Sequence, residues 1–472
     1  MNDSSEMVET SVPGFWSSLR EAVAGTKQDF TEGNIERAII LLAVPMVLEM
    51  CMESLFGVVD IFWVAHLGQD AIATVGLTET ALALLFVIAM GLGMGATAMV
   101  ARRIGEKDER AAGVVAVQTI IVGLLVSALI ACAGYFFAPG LLRIMGGSEG
   151  VVRTGTGYTR TILGGSATIF LLFLINAIFR GAGDAVTAMR ALWLANIVNI
   201  CLNPCLIFGI GPFPRLGVTG SAVGTTIGRG IGVVFQLWVL LGSHSRIQVP
   251  MDHLRLNLDV MARLVRLSLN AMFQYFVQMG SWLAVVRIIA SFGSAAAAAN
   301  TLAIKIILFA ILPSWGMSNA AATLVGQNLG AGKPERAERS VWRTGFYNML
   351  FLGGVGVVFI AFAQQIIGWF TSDPAVRPIA VTALRLMSCG YVSYAYGMVM
   401  TAAFNGAGDT ATPTVLNLIC FWLCQIPLTW LLAFHTGLGP SGAFVAVVLG
   451  DSLLAALGIA LFRRGKWKKV LL

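Results

Sequence analysis

Apolar residues run along this chain in blocks too long for the helices of a soluble protein, separated by short, glycine-rich polar breaks. Ala111 to Phe137, Gly217 to Leu241 and Ser441 to Phe462 each exceed the roughly 20 helical residues needed to cross a bilayer. Reading runs against breaks predicts about twelve spans, at 36–65, 72–100, 111–137, 158–180, 187–210, 217–243, 264–290, 295–326, 338–363, 380–404, 411–435 and 440–462. The pattern predicts an all-α integral membrane protein. Before the first span, Phe15, Trp16, Leu19 and Val23 fall near one helical face with polar residues between them. That spacing reads as a short amphipathic helix lying at the membrane surface, with plain disorder as the alternative. Met1 to Gln28 lacks the basic start and apolar core of a signal peptide.

The blocks repeat. FRGAGDAVTAM from Phe179 returns as FNGAGDTATPT from Phe404, an offset of 225 residues. At the same offset Gly68 meets Gly293, Ala71 meets Ala296, Leu77 meets Leu302, Val100 meets Val325 and Gly105 meets Gly330. The offset slips by three near the end, where LGVTGSAVGTTIGR matches LGPSGAFVAVVLGD. Six spans per copy return the chain to its starting side, so the copies are parallel repeats about an axis along the membrane normal. The expected organisation is a cytoplasmic amphipathic segment (1–33), an N-lobe (34–243), a cytoplasmic linker (244–263), a C-lobe (264–463) and a basic cytoplasmic tail (464–472). Gly-Ala-Gly-Asp itself reads as a turn and not as a phosphate loop. An apolar span precedes it where a phosphate loop needs a strand, and Asp184 and Asp409 are placed to cap the helices that follow.

Composition agrees and charge adds orientation. The chain is 57% hydrophobic and 12% charged, so most of its surface must face lipid. Its net charge of +7 would suit nucleic acid, yet 22 of the 31 lysines and arginines fall in alternate loops and the two tails. That asymmetry is the positive-inside pattern, and it places both termini in the cytoplasm with no nucleic-acid partner. A multi-pass protein of the plasma (inner) membrane is expected. The seven cysteines all lie in predicted spans; Cys201/Cys205 and Cys420/Cys424 have i, i+4 spacing but no nearby histidine or carboxylate, so the cysteines read as buried small hydrophobes and no metal or cofactor is expected.

Charges inside spans are expensive and usually face a bundle interior. The first span carries Glu49, Glu53 and Asp60, which at 100° per residue fall within about 40° of one another on a single stripe. Pro45 precedes them by one turn and can free a backbone carbonyl. A carboxylate so placed can couple transport to a cation by exchanging between charged and neutral states; structural ion pairs are the other reading. Further intramembrane charges are Glu79, Arg229, Arg287, Lys305, Arg385 and Asp451. Arg229 and Asp451 are repeat-equivalent, which suggests equal depth and allows a pairing across the axis. Arg287 and Arg385 lie near helix ends and can snorkel.

The blocks GVVDIFWVAHLGQDAIATVGL, GLGMGATAMVARRIGEKDERA, FRGAGDAVTAM, NICLNPCLIFG and LGVTGSAVGT, with second-half counterparts such as LVGQNLGAGKPERAE, resemble the multidrug and toxic compound extrusion (MATE) family. The resemblance covers residues 34 to about 460 in order and twice over. It implies two six-helix bundles facing each other across a central cavity, and export of lipophilic small molecules driven by an inward H+ or Na+ gradient. It also implies a coupling role for Asp60, with supporting roles for Asn199, Asn203 and Thr225. Asn203 departs from the family's usual aspartate, so Glu49 or Glu53 is expected to compensate. The seventh span carries Gln274 and Gln278 where the sodium-using branch keeps acids, and the tenth span has none. Both departures place the chain nearer the proton-coupled DinF-like branch than the sodium-coupled NorM branch.

A cavity for lipophilic cations needs aromatic, methionine and polar surface. The candidates are Met46, Met50, Phe56, Phe173, Asn176, Phe273, Gln274, Tyr275, Gln278, Met279 and Met398, each of which ordinary packing would also explain. The leading reading is a monomeric cation-coupled multidrug antiporter working by alternating access. A lipid-linked oligosaccharide flippase of the same superfamily is the rival in fold, though an acidic first lobe suits it poorly. An intramembrane enzyme is the rival in class, but no recognisable metalloprotease, serine or aspartate protease motif supports it; Gly-Ala-Gly-Asp matches the last in letters only.

Overall fold

The structure is a computed structural model describing residues 15–25, 28–242, 246–247, 249 and 256–470. Much of the predicted linker, including Gln248, lies outside the described residues. The short helix α1 (Phe15–Ala24) leads into the N-lobe: α2 (Ile35–Ala65), α3 (Gln69–Gly105), α4 (Glu109–Ile144), α5 (Glu149–Gly164) bent into α6 (Ser166–Gly181), α7 (Ala185–Phe208) and α8 (Val218–Leu241). The C-lobe repeats this order: α9 (Leu258–Ala290), α10 (Ser294–Gly330), α11 (Pro334–Phe370), α12 (Arg377–Cys389) followed by α13 (Tyr391–Gly406), α14 (Ala411–Asn417), α15 (Ile426–Phe434) and α16 (Pro440–Arg463). A π-helical stretch, Leu418–Gln425, joins α14 to α15.

Among the described residues ten helices are long and apolar enough to cross a membrane, or eleven with α5 and α6, bent by 40°, taken as one span. The α12–α13 unit occupies the corresponding place in the second half. With no strands among the described residues, the chain is an all-α, two-lobed membrane protein of twelve passes. The fourth pass starts at Glu149, nine residues before the predicted boundary, because α5 is amphipathic. It buries Val151, Val152, Tyr158 and Ile162 and leaves polar residues between them, so no unbroken apolar run marks it.

The duplication is visible at the level of single turns. Gly183 and Gly408 adopt φ of +82° and +87°, a left-handed conformation that only glycine takes without strain. Each ends its helix, and the next residue caps the one that follows. Asp184 accepts from the Thr187 amide at 3.1 Å and the Thr187 hydroxyl at 2.7 Å. Asp409 accepts from the Thr412 amide at 3.1 Å and hydroxyl at 2.6 Å. Even a side-chain contact near the helix ends recurs: Arg160 Nε donates to the Tyr135 carbonyl at 3.0 Å, and Arg385 Nε to the Ile360 carbonyl at 3.2 Å.

The lobes meet through α2 against α10 and α3 against α9, again in symmetric fashion. A Cβ at Gly316 would lie 2.6 Å from the Met46 carbonyl oxygen, and one at Gly91 would lie 2.8 Å from the Met272 amide nitrogen. Further along, a Cβ at Gly105 would collide with the Gln327 carbonyl and one at Gly330 with the Arg102 carbonyl. All four glycines sit in the halves of α3 and α10 nearest the chain termini, so the lobes are packed together at that end. Gln327 Nε2 donates to the Gly181 carbonyl at 2.9 Å and Thr323 Oγ1 to the Arg180 carbonyl at 3.1 Å, adding polar contacts across the seam.

The N-terminal segment runs over the same face. Arg190 and Arg246 of the N-lobe side hold the carbonyls of Ala24 and Gln28 at 2.8 and 2.5 Å. Lys333 and Arg336 of the C-lobe hold those of Thr31 and Gly33 at 3.1 and 2.8 Å. At the other terminus Trp467 is buried and stacks on Phe462 with ring centroids 4.6 Å apart, while Arg102 donates to the Val470 carbonyl. The cysteine reading needs correction: only Cys420 is buried, and Cys51, Cys132, Cys201 and Cys389 are exposed. An apolar run faces lipid as well as protein, so position inside a span does not imply burial.

Candidate functional site

The acidic stripe of α2 faces into the N-lobe, and each carboxylate has its own partners. Glu49, nearest the packed end, is buried; its Oε1 accepts from Arg180 at 2.7 Å and from Asn176 Nδ2 at 2.9 Å. Asn176 Oδ1 in turn accepts from Gln236 Nε2 at 2.6 Å, which ties α2, α6 and α8 into one network. One turn on, Glu53 lies 3.7 Å from Arg229 and 3.5 Å from Asn196 Nδ2. The Arg229 guanidinium also stands over the Phe56 ring, 5.7 Å from its centroid.

Asp60 differs from both. Its Oδ1 accepts from Asn203 Nδ2 and from Ser221 Oγ, each at 2.7 Å, and among the described residues no cation lies in ion-pair contact with it. Arg229, already engaged by Glu53, acts on it only at longer range. Asn203 is joined to Asn199 at 3.1 Å, and Asn199 Nδ2 donates to Thr225 Oγ1 at 2.8 Å. Asp60, Asn199, Asn203 and Thr225 therefore form one buried, hydrogen-bonded cluster among α2, α7 and α8, completed by Ser221. A carboxylate held only by neutral donors can take up or release a proton without breaking a salt bridge.

A cleft between the lobes is lined by Met50, Phe173, Gln274, Tyr275, Gln278 and Met398, together with Arg180 and Asn405. Met279 lies on a second cavity, lined by C-lobe residues apart from Val87, that shares Tyr275 and Gln278 with the cleft. Phe56 lies beneath Arg229, and Asn176 is taken up by the Glu49 network. Met46 is fully buried in the seam against Gly316, and Phe273 is half-exposed away from both cavities. Arg229 and Asp451 are each the twelfth residue of a 24-residue helix, so they stand at equal depth. They are not paired: Arg229 is drawn to Glu53.

Four participants carry little signal in the sequence: Arg180, Ser221, Asn196 and Gln236. Arg180 ends an apolar run beside the loop charges, although its i, i+4 spacing from Asn176 puts both on one helix face. Ser221 carries no signal beyond its place in a repeated glycine-rich block. Asn196 precedes Asn199 and Asn203 at i, i+3, i+7, an asparagine stripe facing the acidic one. No group of three or more metal-binding side chains occurs among the described residues.

Parallel helical repeats packed together at one end around a largely apolar cleft, with unpaired and paired carboxylates built into one lobe, define a two-lobed membrane transporter. The MatE family profile matches residues 45–205 and 271–431, one copy in each lobe. The chain belongs to the MATE family. It is 27% identical over 436 residues to a probable multidrug resistance protein NorM of Thermotoga maritima, covering 92% of this chain and 94% of that one. It is 24% identical over 431 residues to an FAD transporter of Shewanella oneidensis, covering 91% and 94%. Among solved structures, the outward-facing conformation of a multidrug resistance MATE family transporter superposes with a TM-score of 0.87 at 26% identity, covering 94% of this chain and 99% of that one.

Proposed function

We propose that the chain is an antiporter that expels amphiphilic, often cationic compounds in exchange for an inward cation, with H+ favoured over Na+, and that Asp60 is the coupling carboxylate. The observation that carries this reading is the contrast along α2. Glu49 and Glu53 are matched by arginines, whereas Asp60 meets only the neutral donors Asn203 and Ser221. Protonation of Asp60 removes a charge from α2 without leaving an arginine unmatched, and so changes which neighbours the helix prefers at small cost. Amide side chains at Gln274 and Gln278 remove the second-lobe acids a sodium site would use, which supports H+.

The protein is read as a monomer in the plasma (inner) membrane with both termini cytoplasmic. On that orientation the packed end of the lobes is the cytoplasmic end, and the arrangement is outward-facing. Alternating access then requires the seam at Gly91, Gly105, Gly316 and Gly330 to open. The Shewanella oneidensis relative, an FAD transporter, raises an anionic cargo as a second reading; the acidic N-lobe stripe favours cations. Reconstitution into proteoliposomes tests the proposal. Transport of a fluorescent lipophilic cation should follow an imposed proton gradient, and should not respond to a sodium gradient of equal size.

A further inference from the structure

Within the C-lobe, bordered on one side by Val87 of α3, lies a cavity of about 380 Å³, within the range of small-ligand pockets. Its wall is aromatic and apolar, with Trp282, Trp315, Tyr391 and Tyr394 prominent, and the one formally charged side chain on it is Asp451. Asp451 lies at the middle of α16 and makes no hydrogen bond or salt bridge among the described residues. One more polar atom on the same wall, Gln425 Oε1, is buried without a partner among the described residues.

The internal repeat explains why this carboxylate is alone. In the N-lobe the corresponding helix position is Arg229, which reaches Glu53 on the first helix of its lobe. In the C-lobe the counterpart of Glu53 is Gln278, which lines the cavity and carries no charge. Base has become acid and acid has become amide, so the C-lobe keeps the geometry of an ion-pair site and lacks its cation. A carboxylate surrounded by apolar wall costs several kcal/mol unless a positive charge meets it. Ring faces around it favour the same sign of guest.

We infer that the Asp451 cavity is a binding site for organic monocations, with the charged centre set against the carboxylate and the apolar body against Trp282 and Trp315. The site is separate from the Asp60 cluster in the other lobe. It rests on the reading that this transporter carries amphiphilic cations, and it names where their charge is recognised. Because the cavity shares Tyr275, Gln278, Trp315 and Tyr394 with the cleft between the lobes, a guest can pass from one to the other without leaving aromatic surface.

Equilibrium binding of radiolabelled tetraphenylphosphonium to the purified full-length protein in detergent tests this, with tetraphenylborate as a competitor of similar shape and opposite charge. No gradient is needed, so failure of export would leave the binding result readable. Wild-type protein should bind tetraphenylphosphonium and ignore tetraphenylborate. Asp451→Asn should weaken binding at least about tenfold, Trp282→Leu should weaken it several-fold, and Glu335→Gln, an exposed change in the first turn of α11, should change it little. If Asp451→Asn does not elute as a monodisperse species, Asp451→Glu and Trp282→Leu decide the matter. Unchanged affinity in the Asp451 and Trp282 variants would overturn the assignment. So would equal competition by tetraphenylborate, absence of binding to the wild type, or an equal loss in Glu335→Gln.

Discussion

Glu49 and Arg180 lie 2.7 Å apart inside the N-lobe, and the residues 225 positions later are Gln274 and Asn405, two neutral amides on the cleft wall. One lobe thus keeps a buried ion pair where its duplicate keeps none. The pair is costly to halve: removing one member of a buried salt bridge leaves an uncompensated charge worth about 3–5 kcal/mol.

Glu49→Gln should therefore lower the thermal stability of the detergent-solubilised protein markedly. The double variant Glu49→Gln, Arg180→Asn reproduces the C-lobe chemistry and should recover most of the loss. Fluorescence-detected size exclusion after a heat ramp measures both. A double variant as unstable as the single would show that the pair's charges are not what holds α2 to α6.

The glycines of the seam set a steric condition. A leucine at Gly105 or Gly330 cannot fit against the carbonyls of Gln327 and Arg102, so α3 and α10 should be forced apart at the end nearest the termini. Spin labels at Glu106 and Ala331 should report a longer separation in Gly105→Leu than in the parent, with transport lost. An unchanged distance would mean the packed end is not maintained by this contact.

The N-terminal segment bridges both lobes through backbone carbonyls, and Arg336 holds three of them: Phe30, Glu32 and Gly33. Arg336→Ala should release the segment and raise hydrogen exchange across residues 28–34 without altering exchange in α2 beyond its first turn. Exchange unchanged in that segment would assign its position to α1 packing alone.

Much of this architecture was legible in the sequence, because its signals are local and repeated. Long apolar runs specify spans, and a positive-φ glycine followed by an aspartate specifies the turn at 181–184 and again at 406–409. The acidic stripe followed from spacing on one helix. Partnerships were less legible, since they depend on which helices cross. Nothing near Arg180 in sequence points to Glu49, and Ser221 meets Asp60 only once α8 folds back along α2. Repeat symmetry suggested Arg229 against Asp451, but the nearer Glu53 takes the arginine. Apolar runs also conceal which face meets lipid, as the exposed cysteines show.

Orientation has its own test. In a cysteine-depleted background, a cysteine at Gln248 should resist an impermeant thiol reagent in intact cells and react after permeabilisation. Rapid labelling in intact cells would invert the protein and with it the assignment of the packed end.

The central claim is that Asp60 couples the driving ion to the movement of α2. Asp60→Asn preserves the shape of the side chain beside Asn203 and Ser221 but removes its ability to gain and lose a proton. The most direct measurement is proton-gradient-driven uptake of a lipophilic cation into inverted membrane vesicles, with expression of each variant matched. Asp60→Asn should lose uptake almost entirely, while Glu49→Gln and Glu53→Gln lose it in part. Wild-type uptake by Asp60→Asn alongside an inactive glutamate variant would move the coupling to that glutamate and contradict the account.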